Sequence, residues 1–317
     1  MTLQQLEYIV ALDNCRSFSV AAELCHVTQP SLSLMVQKLE AELGIKLFDR
    51  SKQPITPTEV GERIIAQARQ ILHESRKLHQ LAQEQFAKLN GELRIAIIPT
   101  LSPYLIPLFI RAFTENHPEV QLHISEQPTA VIMQQLKKDV IDIGIMATPL
   151  NDEKLLELPL FMEEFFVYAP HETSILQKQY LLAGDIDPNR LLLLEEGHCI
   201  RTQVINLCAL QKAQGAVSNF TYETGSLETL RRIVEKNGGM TILPELALLD
   251  LNEERMQFVR FFKEPAPARE ISLVIHRTNG RPRMQAALKK TIIDNLPTQL
   301  LGKRMTQRVS LDPLPLG

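Results

Sequence analysis

The residues most able to do chemistry fall together in one stretch, Gly197-His198-Cys199-Ile200-Arg201-Thr202-Gln203-Val204-Ile205-Asn206-Leu207-Cys208. Of the chain's four cysteines, Cys199 and Cys208 stand nine positions apart here, and the others are Cys15 and Cys25. A cysteine reacts as its thiolate, and nearby positive charge or hydrogen-bond donors favour that form. His198 and Arg201 put both within local reach of Cys199. The spacing is too wide for a CxxC redox site and lacks the paired pattern of a zinc finger. One reading is a thiol that oxidises to sulfenic acid, with a second thiol placed to condense with it. The other is that both are small buried hydrophobes, the ordinary state of free cysteine. Spacing alone leaves both open, while Cys15 and Cys25, beside apolar helix positions, are expected to pack in a core.

A chain of 317 residues is long enough for two or three domains with full cores, and 44% hydrophobic with 22% charged residues is an ordinary globular composition. No basic segment with an apolar run opens the sequence, and no apolar stretch approaches the roughly 20 residues that span a bilayer. A cytoplasmic protein without membrane contact is the expectation, and any disulfide there is transient rather than structural. The net charge of −3 offers nothing toward nucleic acid. DNA binding has to come from where charges are placed.

Strand and helix patterns alternate through the second part of the chain. Apolar strand runs at 93–98, 121–126 and 141–146 are separated by helical patterns at 103–116 and 129–138, which argues for a parallel sheet covered on both faces. The pattern restarts after Leu160 with strands at 164–169, 191–194 and 220–223, a helix at 226–235 and a strand at 240–244. A late strand at 271–275 returns to the first unit, and a helix at 282–296 follows. Two such lobes make a cleft, where ligands collect at strand carboxyl ends. Residues 297–317 show no periodicity and are expected to be unstructured.

Three helical patterns open the chain. Leu3, Leu6, Ile9, Val10 and Leu12 mark the first, and the second runs from about Val20 to Cys25, capped by Ser17 or Ser19. Pro30 suits the first turn of the third, which buries Leu32, Val36, Leu39 and Leu43 and ends at Gly44. Two short helices with a tight turn, the second opening in polar residues, form a helix-turn-helix whose second helix enters the major groove. Gln29, Pro30, Ser31, Ser33 and Gln37 are the candidate base or phosphate contacts, with Lys38 nearer the backbone. Residues 47–58 read as a β-hairpin wing carrying Arg50 and Lys52. Within residues 1–62, eight acidic side chains outnumber five basic ones, which implies modest non-specific DNA affinity. From Glu59 to Leu89 a single helix carries Ile64, Ala68, Ile71, Ser75, Leu78, Ala82 and Leu89 at intervals near 3.5, with Leu72, Leu81 and Phe86 beside them. So narrow a stripe needs a partner, either a second copy of itself or its own chain.

Ala21-Ala22-Glu23-Leu24, Thr28-Gln29-Pro30-Ser31-Leu32-Ser33, Lys38-Leu39-Glu40, Leu43-Gly44, Leu47-Phe48-Asp49-Arg50 and Thr56-Pro57-Thr58-Glu59-Val60-Gly61 together resemble the N-terminal signature of LysR-type transcriptional regulators. The resemblance implies an α/β protein with an N-terminal winged helix-turn-helix (1–58), a long linker helix that pairs subunits (59–90) and a two-lobed, periplasmic-binding-protein-like effector domain (91–300), followed by a tail (301–317). Lobe I takes in about 91–160 and 268–300, and lobe II about 161–267. The strings 99–107, 126–129, 195–199 with Cys208, 225–230 and 238–244 resemble the peroxide-sensing OxyR branch of that family.

That branch implies a regulator, not an enzyme, with no cofactor and no metal. Cys199 is then the peroxide-reactive thiolate and Cys208 the resolving thiol, with Thr100, Thr129, His198 and Arg269 lining a peroxide pocket and Arg201 as the local alternative cation. Promoter DNA, a homodimer or homotetramer, RNA polymerase and a glutaredoxin- or thioredoxin-type reductant are the implied partners, and hydrogen peroxide the signal. Nine residues of helix rise about 13 Å, whereas a disulfide needs its Cα atoms within about 7 Å, so oxidation has to refold residues 197–219. The alternatives are a LysR-type regulator with an organic co-inducer and inert cysteines, and a cysteine peroxidase or hydrolase using Cys199 and His198. The winged N-terminal domain argues against the enzyme.

Overall fold

Apolar stripes on short capped helices build the N-terminal unit. The structure, a computed structural model, describes residues 1–83, 89–195, 199–207, 226–279, 281–301 and 306–311. Helix α1 (Leu3–Cys15) starts at Thr2, whose hydroxyl accepts from Gln5 N at 3.2 Å while the Gln5 side chain accepts from Thr2 N at 2.8 Å. This reciprocal cap satisfies two free amides at once. Helix α2 (Phe18–Leu24) begins two residues earlier than its apolar pattern indicates, and Ser17 holds the cap position without lending its hydroxyl. Helix α3 (Gln29–Leu43) is capped by Thr28, carries Pro30 in its first turn and stops at Gly44, which takes a left-handed φ of 69°. Leu32, Val36 and Leu39 are buried as expected, but Leu43, in the final turn beside that cap, is exposed.

The wing is a two-stranded ribbon, β1 (Phe48–Asp49) against β2 (Thr56–Pro57). Glu40, 2% exposed, ties it to α3: one oxygen accepts from Leu47 N (2.8 Å) and Phe48 N (3.3 Å), and the other pairs with Arg50 (3.2 Å). Helix α4 (Glu59–Gln83) leaves the wing so closely that a Cβ on Gly61 would lie 2.0 Å from the Leu47 carbonyl oxygen. Ile65, Ala68 and Leu72 of α4 join the core of α1–α3. Of the narrower stripe expected for subunit pairing, Ala68 is spent on that core and Leu78 stands 68% exposed, while Phe86 and the side chains of Leu81 and Ala82 lie outside what the structure describes.

The second unit is one continuous sheet with helices on it. In chain order its elements are β3 (Gly91–Ile97), α5 (Ser102–Asn116), β4 (Val120–Glu126), α6 (Thr129–Lys137), β5 (Ile143–Thr148), β6 (Leu155–Tyr168), α7 (Thr173–Leu176), α8 (Cys199–Leu207), α9 (Leu227–Asn237), β7 (Thr241–Pro244), α10 (Glu253–Met256), β8 (Val259–Phe261), β9 (Ala266–His276), α11 (Pro282–Asp294) and β10 (Thr306–Arg308). The strand order is β4-β3-β5-β9-β6-β7, with β10 also on β9 and β8 also on β6. β4, β3 and β5 are parallel, as the alternating pattern requires.

The rest departs from a parallel sheet. β9 runs antiparallel to both β5 and β6, and β7 and β8 run antiparallel to β6. The cause is length: β6 and β9 are 14 and 11 residues long, and each is a single strand passing through both halves of the sheet in opposite directions. Residues 191–194 make one parallel bridge, Leu191 to Met240, rather than a strand, and the strand expected at 220–223 lies outside the described residues. Part of the tail is structured after all. β10 pairs in parallel with Ala266–Ala268, on the edge of β9 that β5, which pairs from Glu270 onward, leaves open.

The Glu40 contacts predict that Glu40→Ala, which strips two amides of their acceptor, destabilises the N-terminal unit by about 1–3 kcal/mol in thermal or urea unfolding. Glu42→Ala, at an exposed pair with the N-terminus, should change stability by less than about 0.5 kcal/mol.

Candidate functional site

Adjacent parallel strands deliver their carboxyl ends to one place. Ile97 closes β3 opposite Glu126, which closes β4, and Gln127 N donates to the Ile97 carbonyl at 3.0 Å. Thr100 and Thr129 each follow three residues beyond these ends, in the region where ligands collect in open α/β sheets. Thr100 is buried, and Thr129 is the half-buried first residue of α6.

Arg269 reaches this place from β9. Its register partner on β6 is Glu163, and its Nε donates to Glu163 Oε2 at 2.7 Å, both side chains being wholly buried. Nη1 donates to Thr100 Oγ1 at 3.1 Å and Nη2 to the Thr100 carbonyl at 3.3 Å. Glu163 Oε1 in turn accepts from Leu246 N at 3.0 Å. An unpaired buried charge costs several kcal/mol, so Glu163 is what lets a guanidinium stay in the interior.

Cys199 is the first residue of α8 and is half-buried. A helix N-terminus presents free N–H groups and the positive end of the helix dipole, which favour an anionic sulfur. The Thr129 side chain hydrogen-bonds to Cys199, as do the backbone amides of Ile200 and of Cys199 itself, and Arg269 attracts its negative form through space. Burial is nonetheless the largest influence, and it pushes the thiol up by more than Arg269, Thr129 and the two amides pull it down. Some of the residue's surface remains open, but atoms crowd the sulfur enough for desolvation to prevail. Burial thus favours the neutral thiol, and Arg269, Thr129 and the two amides favour the thiolate.

Arg201, the local alternative cation, is committed elsewhere: its Nη1 donates to the Leu194 carbonyl at 2.7 Å. The structure thus brings together Cys199, Thr129, Arg269 and Thr100, linked through the guanidinium. His198 and Cys208 lie outside the described residues. Glu163 is the site residue that sequence reasoning missed. Its one local signal is an acidic pair, Glu163-Glu164, inside the apolar run Leu160–Tyr168, but its partner sits more than a hundred residues away. Cys15 and Cys25 pack against the N-terminal core, and burial pushes both thiols up. Among the described residues, no group of three or more His, Cys, Asp or Glu is gathered to hold a metal ion, and no helix is long and apolar enough to cross a membrane.

The N-terminal unit presents a polar helix start. Gln29, Pro30, Ser31, Gln37 and Lys38 of α3 are exposed, along with Lys52 on the wing. Ser33 is half-buried and accepts from Arg50 Nη1 at 3.4 Å. Arg50 is drawn inward as well, pairing with Glu40 and lying 5.0 Å over the Phe18 ring. Ser31 and Lys52 are engaged within the unit as well, Ser31 with the Thr28 hydroxyl at 2.8 Å and Lys52 with Asp49 at 3.8 Å.

Residues 3–62 match the bacterial regulatory helix-turn-helix protein of the lysR family, and residues 87–296 match the LysR substrate binding domain. The hydrogen peroxide-inducible genes activator of Haemophilus influenzae is 34% identical over 305 residues, covering 93% of this chain and all of that protein. The DNA-binding transcriptional dual regulator OxyR of Escherichia coli is 34% identical over 275 residues, 86% of this chain and 89% of the relative. Among solved structures, full-length OxyR C199D from Pseudomonas aeruginosa superposes with a TM-score of 0.78 at 36% identity, over 92% of this chain and 98% of that one. With both halves of the architecture present and matched over most of its length, the chain belongs to the LysR family of bacterial transcriptional regulators and to its OxyR branch.

Proposed function

We propose that this chain is a DNA-binding transcriptional regulator that senses hydrogen peroxide through Cys199 and a reversible Cys199–Cys208 disulfide. One observation supports the reading above the rest: a cysteine at a helix N-terminus within the field of a wholly buried arginine and in hydrogen-bond contact with Thr129. The relatives named for peroxide induction support the choice of oxidant.

The chemistry follows from those groups. Cys199 loses its proton, and the thiolate attacks one oxygen of hydrogen peroxide. The S–O bond forms as the O–O bond breaks; sulfur is oxidised by two electrons, and hydroxide leaves and takes up a proton to become water. Arg269, Thr100, Thr129 and His198 supply donors and charge around the departing oxygen, the role of a preorganised electrostatic site. The sulfenic acid then condenses with the Cys208 thiol, forming the disulfide and releasing a second water. A glutaredoxin- or thioredoxin-type dithiol restores the two thiols, as fits a cytoplasmic protein.

Residues 1–58 carry the helix-turn-helix, whose α3 start and wing meet promoter DNA through Gln29, Pro30, Ser31, Ser33, Gln37, Lys38, Arg50 and Lys52. The linker helix, 59–90, pairs subunits in a homodimer or homotetramer, and 91–300 form the sensor whose change alters subunit geometry and contact with RNA polymerase. The protein acts as a regulator and turns over no substrate of its own.

Cys199→Ser is expected to abolish the peroxide-dependent change in a DNA footprint, while Cys15→Ser and Cys25→Ser leave it intact. A Cys199→Ser footprint that still responds would favour an organic co-inducer. The charge balance around the sulfur yields a second expectation, read as the rate of Cys199 alkylation against pH. Glu163→Gln removes the counter-charge from Arg269, strengthens its pull on the sulfur and raises the rate at pH 7. Glu163→Gln with Arg269→Gln removes the cation without stranding a buried charge. The thiol then rises further, the profile moves to higher pH, and the rate at pH 7 falls by about tenfold for each unit of displacement. Equal rates in the two variants would remove Arg269 from the chemistry.

A further inference from the structure

β10 covers the stretch of β9 nearest Arg269. Thr306, Gln307 and Arg308 lie in register with Ala266, Pro267 and Ala268, Val309 N donates to the Ala268 carbonyl at 2.9 Å, and Arg308 forms an ion pair with Glu270. Glu270 is held in turn by the Thr148 hydroxyl at 3.0 Å. Residues 306–309 lie beyond 296, where the family's sensor-domain match ends.

The next carbonyls of the same segment face α8. Asn206 Nδ2 donates to the Ser310 carbonyl at 2.8 Å, and Gln203 Nε2 donates to the Val309 carbonyl at 3.4 Å. Gln203 is 0% exposed, and its Oε1 has no hydrogen-bond partner among the described residues, so the contact to Val309 is its amide's anchor. One short segment therefore joins the strand that carries Arg269 to the second and last turns of the helix that begins with Cys199. A nine-residue helix is too short to persist by its own propensity and depends on tertiary contacts. Ile200 and Val204 supply an apolar side, and the segment supplies polar ties.

We propose that residues 306–311 form a strap that positions α8 as a helix and so sets how readily the Cys199 sulfenic acid proceeds to the disulfide. The inference rests on the peroxide-sensing reading above. The two chemical steps make different demands on the helix. Attack of the Cys199 thiolate on peroxide happens at the first residue of α8 and leaves Asn206 and Gln203 where they are. Condensation of the sulfenic acid with the Cys208 thiol, which forms S–S and releases water, requires residues up to Leu207 to leave the helix. Both bonds to the strap break in that step. The strap therefore restrains the second oxidation step and favours the return to the dithiol, while the first step proceeds independently of it.

The test is a peroxide pulse on the full chain, quenched by thiol alkylation at successive times, with mass spectrometry of the peptides that carry Cys199 and Cys208. Three proteins are compared: the unaltered chain, Asn206→Ser, and a chain lacking residues 306–317. Serine is too short to reach the Ser310 carbonyl and resembles asparagine in helix propensity. Asn206→Ser also leaves β10 in place, so the outcome does not hang on how the shortened chain folds. Sulfenic acid should form at the same rate within twofold in all three. The disulfide should form about fivefold faster in Asn206→Ser, the equivalent of one ordinary hydrogen bond, and faster still without the strap. Equal disulfide rates, or a change confined to the sulfenic acid step, would overturn the strap. If the unaltered chain forms neither product, the peroxide reading itself fails and takes the strap with it.

Discussion

A helix and a disulfide cannot share residues 199–208, and the proposed sensing depends on that incompatibility. α8 keeps Cys199 and Leu207 about 12 Å apart along its axis, and Cys208 is one peptide further, about 3.8 Å from Cα to Cα. Wherever Cys208 points, its Cα stays at least about 8 Å from that of Cys199, beyond the roughly 7 Å limit of a disulfide. The constraint is covalent and geometric, so no side-chain adjustment relieves it. In the proposed mechanism, chemistry at one sulfur becomes an all-or-none choice between two backbone arrangements, which is what a local event needs if it is to be felt at a distance.

The reduced arrangement is held from several directions at modest strength. Ile200 and Val204 bury an apolar side of α8, Thr129 of α6 holds the cysteine at its start, and the backbone carbonyls of 309 and 310 tie its later turns. None of these is large beside the strength of a covalent bond. The helix is thus stable enough to define a resting state and weak enough to yield. The electrostatics are balanced in a similar way. Arg269, held in the interior by Glu163 directly opposite, favours the thiolate, and burial of the sulfur favours the neutral form. In the proposed mechanism this balance keeps the thiol from indiscriminate reaction and leaves the donors in place for peroxide.

Local pattern and long-range pairing divide what was legible in the sequence. The three N-terminal helices, the wing and the β3–α5–β4–α6–β5 alternation were readable because each is set by nearby caps, turns and periodicity: Thr28, Pro30 and Gly44 bound α3 as their chemistry dictates. Thr100 and Thr129 could be named from the family strings, and Arg269 from the family resemblance together with its place before the apolar run 271–275. Glu163 could not, because its meaning comes from register with Arg269 across β6 and β9, and nothing in the acidic pair of a mostly apolar strand announces that partner. The antiparallel course of β9 escaped for the same reason, since apolar runs carry no direction. β10 escaped because a three-residue strand has no period to detect and is fixed by the open edge of β9. Arg201 misled in the opposite way: nearness in sequence to Cys199 suggested a cation that the fold sends to the Leu194 carbonyl.

The most direct test of the central claim is amide hydrogen exchange in residues 199–207 before and after brief peroxide treatment, in the unaltered chain and in Cys208→Ser. Protected amides are expected in the reduced chain, lost protection on oxidation of the unaltered chain, and retained protection in Cys208→Ser, whose Cys199 oxidises without a partner thiol. Protection that survives in the unaltered chain once the disulfide has formed would contradict that claim.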